Sequence, residues 1–270
     1  MATNTPQAKP ATSSEDLLKM LGGAEIPPAD KFKELVTKID SHQVLSKVFL
    51  LEGVPYVFQK SPMKYVIFRE QVADRFGIGS QDVCIVGSAK LGYSPAPDKF
   101  GTPFEQTSDV DVVLISEPLF YKGSRQLFGV LNDLEPPLHL VRPYLLRENP
   151  KQGTPPVVPL KNWSKIKEAV RNFVYENLNP GLFDSNHPLR VEIFSKIRGT
   201  AGLFLALEPK VFVSKIRCRV FRNWRAAEDY YANSLREAKN HFLNKKAVEE
   251  EIEDTEDLEG KPPPAAAEDQ

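Results

Sequence analysis

The sequence predicts an α/β protein: a small mixed β-sheet carrying an acidic site, flanked by helices from both ends of the chain. Two short apolar, β-branched runs, Val83–Val86 and Asp109–Ile115, have the character of buried strands. Apolar residues recur at helical spacing in segments before and after them. The chain of 270 residues, 41% hydrophobic and 26% charged, is long enough to bury a sizeable core and has the balance of a soluble globular protein.

Residues 1–27, rich in Pro, Thr, Ser and Ala, are expected to be disordered apart from a helical turn at Ser14–Leu21. Residues 28–160 are expected to hold the site. Residues 161–246 are expected to complete the fold with a helix, a third strand and a long C-terminal helix. From Asp30, Phe32, Leu35, Val36 and Ile39 mark an amphipathic helix. Ser61 and Pro62 offer a cap followed by proline at the first helical position. From there Val66, Arg69, Val72, Ala73 and Phe76 carry a helix of ~15 residues to Gly77–Gly79. The first strand ends on Gly87-Ser88; Pro118 stops the second. GSRQLFGVLNDLEPP then predicts a helix closed by Pro136 and Pro137, and residues 142–160, with five prolines, an extended connection. NWSKIKEAVRNFVYENL predicts a helix, and HPLRVEIF, alternating Leu189, Val191 and Ile193 with Arg190, Glu192 and Phe194, a strand. Ile216, Val220, Trp224, Ala227, Tyr231, Leu235, Ala238 and Phe242 recur in steps of four and three, predicting one helix over 214–243. Its other faces carry Lys215, Arg217, Arg219, Arg222, Arg225, Arg236 and Lys239, either a solvated basic side or cations that face the acidic strand and receive phosphates.

Charge is unevenly spread. Residues 247–270 hold ten acids and one lysine, a charge of −9, whereas residues 1–246 hold 34 basic and 26 acidic residues, a charge of +8. A basic body suits a phosphate-rich partner. The tail has too little to bury and is expected to be a disordered, solvated end; mimicry of nucleic acid against the body is the sharper alternative. No run approaches a membrane span and the first residues lack the apolar core of a secretory signal, so a cytoplasmic protein without a membrane partner is expected. Cys84 and Cys218 have no metal-type spacing; Cys84 is expected simply to be packed.

On a strand, side chains two apart share a face, so Asp109 and Asp111 must project together while Val110 and Val112 face away. Adjacent carboxylates on an apolar strand repel each other and resist desolvation unless a cation neutralises them. That points to a metal site.

A strand ending in Gly-Ser, then a strand beginning Ser-Asp-Val-Asp, resembles the signature of the polymerase-beta-like nucleotidyltransferase superfamily, on Gly87, Ser88, Ser108, Asp109 and Asp111. The resemblance covers Val83–Ser116 and implies a nucleotidyltransferase-like fold. It implies an enzyme moving a nucleoside monophosphate from an NTP to a hydroxyl of a nucleotide, RNA or other nucleic acid, or protein. Mg²⁺ or Mn²⁺ would be held by Asp109 and Asp111, with Gly87, Ser88 and Ser108 beside the bound nucleotide. The family adds a third carboxylate from a later strand. Glu192 is the candidate, with an ion pair to Arg190 as its other reading and Asp184 as the alternative acid. Lys90 lies two residues after Ser88, within reach of a γ-phosphate or of solvent. Twenty residues separate Ser88 from Asp109, more than the dozen or so usual in the family, and Tyr93 and Phe104 in this lip can stack a base or pack it down. RNWRAAEDYYANSL is similar to the helix after the catalytic core in small bacterial and archaeal nucleotidyltransferase-like proteins of defence or toxin-antitoxin type, which would give Arg222, Arg225 and Tyr230 roles beyond the surface. A catalytically inactive protein of this fold, binding nucleotide, nucleic acid or a partner protein, is the alternative.

Overall fold

The computed structural model describes residues 26–105, 107–132, 160–183, 187–208 and 215–259. Along the chain the described elements are α1 (Ala29–Lys38), α2 (His42–Leu45) running into a π-helical turn (Ser46–Leu51), α3 (Pro62–Phe76), β1 (Val83–Val86), α4 (Ser88–Leu91), β2 (Asp109–Ile115), α5 (Glu117–Asn132), α6 (Leu160–Val174), β3 (Asn177–Leu178), α7 (Pro188–Leu207), β4 (Lys215–Phe221) and α8 (Trp224–Glu259). The four strands form one mixed sheet in the order β1-β2-β4-β3. β1 runs antiparallel to β2, β4 parallel to β2, and β3 antiparallel to β4. A small mixed sheet flanked by helices is therefore the architecture, as the sequence predicts.

Period-two alternation gives the sheet two different faces. Val83, Ile85, Val110, Val112, Leu114, Ile216 and Val220 point to the main core, where α3 and α7 pack. Phe58, Phe68 and Phe204 close that core with ring centroids 5.1 to 5.8 Å apart. On the opposite face Cys84, Val86, Val113, Ile115 and Phe221 pack against Leu51 and the first turn of α8, through Ala226 and Ala227. A third cluster joins α1, α2, the loop after α4 and the middle of α8 through Phe32, Leu35, Phe49, Leu91, Tyr93, Leu235 and Phe242.

α3 starts with proline in its first turn and ends where Gly77 turns left-handed (φ +66°), letting Ile78 N–H donate to Ala73 O at 3.1 Å. Two segments depart from expectation. The strand read in HPLRVEIF is the first part of the helix α7. Its buried residues Leu189, Ile193, Ile197, Thr200 and Phe204 follow helical spacing over a window longer than the alternating stretch. The single helix expected over 214–243 is divided. Lys215–Phe221 is β4, whose Ile216 and Val220 fit a period of two as well as of four, and α8 starts only at Trp224, with Asn223 Oδ1 accepting Ala226 N–H at 2.8 Å. α8 then continues through the acidic run to Glu259, where a disordered tail is expected from residue 247. β2 ends at Ile115, three residues before Pro118, which lies in the first turn of α5, where Ser116 Oγ accepts Leu119 N–H at 3.3 Å. The turn at Ser14–Leu21, the Pro136-Pro137 stop and the extended connection before residue 160 lie outside the described residues.

Phe204 is fully buried between Phe58 and Phe68. Phe204→Ala should therefore lower unfolding free energy by about 3–5 kcal/mol, measured by urea denaturation.

Candidate functional site

The strand pairings assemble the site. Val86, the last residue of β1, pairs with Asp111, and Asp109 and Asp111 pair with Lys215 and Arg217 of β4. Shared register means a shared face, so Asp109, Asp111, Arg217 and Arg219 all project from the sheet on the α8 side. A cleft of about 680 Å³ opens there, lined by Gly87, Asp111, Arg217, Arg219 and Tyr230, with Pro95–Pro97 across from them.

Gly87 holds a backbone conformation (φ +69°, ψ −146°) that side-chain-bearing residues rarely adopt. A Cβ there would stand 3.0 Å from Asp111 Oδ2. The Gly-Ser turn and the acid pair, twenty residues apart in sequence, are thus in contact through a missing side chain. Ser88, half-buried, opens α4 directly beside them.

The acids have a cation in the chain itself. The Arg217 guanidinium forms an ion pair with Asp109 Oδ2. Burial pushes the Asp111 carboxyl above its ordinary range; Arg217 and Arg219 pull it back down, and Asp109 pushes it further up. Arg219 is anchored: it donates to Asn177 Oδ1 at 2.7 Å and Asn172 Oδ1 at 3.3 Å and lies 4.9 Å over the Tyr230 ring. The Tyr231 hydroxyl, buried beside this row, is held well above its ordinary pKa by desolvation.

The lip between Ser88 and Asp109 is tied down. Tyr93 bridges to Pro103, Ser94 N–H donates to Thr102 O at 2.8 Å, and Tyr93 Oη donates to Pro27 O at 2.8 Å. Phe100 packs edge-on against Phe242 of α8 at 4.8 Å and Phe104 joins the main core. Tyr93 and Phe104 therefore pack the lip, and Pro95, Ala96 and Pro97 are the residues it presents to the cleft.

Other predicted site residues are engaged elsewhere. Lys90 is buried and donates to the Glu52 carbonyl. Ser108 Oγ accepts Glu105 N–H at 2.9 Å, fixing the turn into β2. Glu192, on α7 rather than on a strand, is bound by Lys122 at 3.1 Å and Lys196 at 3.5 Å. The Lys122 hydrogen bond draws its carboxyl below the ordinary range. Arg190 turns to the Gly181 and Phe183 carbonyls and not to Glu192. Asp184 lies outside the described residues. Arg222 is held by Glu117 and Glu176 at the other end of β4, and Arg225 faces Asp229 on exposed helix surface. Of the cations expected on a late helix, Lys215, Arg217 and Arg219 stand on the strand β4 beside the acids: they alternate with Ile216, Cys218 and Val220, the period-two signal of a strand with one basic face.

Among the described residues, no group of three or more His, Cys, Asp and Glu side chains is placed to hold a metal. The pair still suits Mg²⁺, a hard ion that binds through one or two carboxylates plus substrate phosphates and keeps several waters. Asp109 and Asp111 supply two hard oxygen donors on one face, and Gly87 leaves the space beside Asp111 Oδ2 clear of a side chain. No described helix is long and apolar enough to cross a membrane. Set against protein-family models, curated proteins and solved structures, the chain matches none.

Gly87→Ala should lower stability by about 1–3 kcal/mol in urea denaturation, because both its φ and its space beside Asp111 are lost. A carboxyl whose folded pKa is raised destabilises the fold when ionised, so Asp111→Asn should be more stable than wild type at pH 7. That gap should close as pH falls through the raised pKa toward the ordinary 3.8, followed by urea denaturation across the range.

Proposed function

We propose that this chain has a nucleotidyltransferase-like fold and binds a nucleoside triphosphate with Mg²⁺ in the cleft beneath the lip, transferring the nucleoside monophosphate to a hydroxyl acceptor. The observation that carries this reading is the contact between the Gly-Ser turn and the acid pair: Val86 pairs with Asp111, and Gly87 approaches Asp111 Oδ2 as only a residue without a side chain can. Gly87 admits a phosphate close to the backbone, Ser88 offers a hydroxyl, and the basic row of Lys215, Arg217 and Arg219 offsets triphosphate charge. Asp109 and Asp111 would hold Mg²⁺, which supplies charge neutralisation at the phosphates. In the transfer the acceptor oxygen bonds to the α-phosphorus, its proton passes to solvent, and the bond to the bridging oxygen breaks to release pyrophosphate. This reading assigns no role to Lys90, turned to the Glu52 carbonyl, to Ser108, which fixes the turn into β2, or to Glu192, held by Lys122 and Lys196.

A second reading, a catalytically silent nucleotide-binding protein of the same design, draws on one observation. The strand next to β2 contributes Arg217, where the resemblance calls for a carboxylate, on the face that carries the acids. α-Labelled NTPs incubated with the protein and candidate nucleic-acid or protein acceptors separate the two. Wild type should release labelled product and pyrophosphate only with Mg²⁺, and Asp109→Ala/Asp111→Ala should reduce transfer at least ~100-fold with an unchanged circular dichroism spectrum. Mg²⁺-dependent ATP binding without transfer would establish the second reading instead; equal transfer by the double variant would end the first.

A further inference from the structure

Arg217 stands out among the cleft cations by what holds it. Arg219 is fixed by two asparagines and an aromatic ring, and Arg190 by two backbone carbonyls. Arg217 is held by Asp109, a carboxylate that a bound cation would claim. Its side chain keeps 59% of its surface in water while that of Asp109 keeps 21%, so the pair is anchored at the acid and loose at the guanidinium. A half-exposed ion pair of this kind contributes little and exchanges readily. The guanidinium has five donors in a planar fork that fits phosphate as well as carboxylate.

We propose that Arg217 exchanges partners on loading: it neutralises Asp109 when no metal is bound, and becomes a ligand of the nucleotide phosphates once a cation takes over the acid pair. This rests on the nucleoside triphosphate reading and adds a residue to it. One side chain then suppresses metal binding without nucleotide and favours binding of the two together, making the cleft selective for the metal–nucleotide complex over free metal. A mere plug would oppose both ligands.

Isothermal titration of full-length wild type and Arg217→Gln with Mn²⁺ alone, and separately with ATP·Mg²⁺, tests this. The variant should bind Mn²⁺ alone several-fold more tightly, having lost a competing charge, and ATP·Mg²⁺ about tenfold more weakly, having lost a charged hydrogen-bonding partner. Arg217→Lys, which keeps the charge without the fork, should retain wild-type Mn²⁺ affinity and fall between the two for ATP·Mg²⁺. Wild type that binds ATP·Mg²⁺ while Arg217→Gln binds it equally well or better would overturn the exchange and leave the nucleotide reading standing. Wild type that binds no ATP·Mg²⁺ overturns both.

Discussion

Two carboxylates side by side on an apolar strand have to be neutralised, and the parallel pairing of β2 with β4 does it. The register that sets Asp111 beside Arg217, and Val113 beside Arg219, places a basic row against the acids on one face while Ile216 and Val220 enter the main core on the other. A shift of one residue would reverse both faces, burying the arginines among Phe58, Phe68 and Phe204 and exposing isoleucine and valine. Site and core are thus fixed by the same pairing. The chain between β2 and β4 must return the second strand parallel to the first, and α7, packed on α3 and β4, lies within that connection.

Around this row the cleft is built from rigid parts. Gly87 brings β1 against Asp111 because it has no side chain. The lip is pinned through Tyr93 to Pro27, and through Phe100 to Phe32 and Phe242, so its Pro95–Pro97 edge is a fixed wall. α8 closes the other side: its first turns pack on the sheet, Tyr230 lies under Arg219, and Phe242 reaches the lip. With Arg219 anchored and Arg217 tied to an acid, the basic wall has one fixed member and one that can change partner.

The features that mark the site were legible in short windows of sequence. Strand alternation alone put Asp109 and Asp111 on one face, and the Gly-Ser step located a turn that requires glycine. What the sequence left ambiguous were segments where two periods coincide. Leu189, Val191 and Ile193 alternate like a strand over five residues, yet only Leu189 and Ile193 are buried, and Ile197 and Phe204 continue their helical spacing. Ile216 and Val220, four apart, are compatible with either helix or strand, and the step to Trp224 crosses the Asn223 cap. Assigning that strand to a helix left open which of its many cations face the acids, a choice that the register of β4 against β2 makes for Arg217 and Arg219. Assigning α7 to a strand gave Glu192 a role at the acids, when on a helix it meets Lys122 and Lys196. Lys90 had the right sequence distance from Ser88, but a four-residue helix turns it inward to Glu52. Distance along the chain carries no direction without the backbone that sets it.

The central claim is that the Asp109–Asp111 pair, sheltered by Gly87 and counterbalanced by Arg217, is a cation site completed by nucleotide phosphates. Crystals grown with Mn²⁺ and a non-hydrolysable ATP analogue test it directly through the anomalous difference map. The account predicts a manganese peak about 2.1–2.2 Å from carboxylate oxygens of both aspartates, with the triphosphate at Gly87-Ser88 and the Arg217 guanidinium on phosphate. No peak at the pair, with Arg217 still on Asp109, would contradict it.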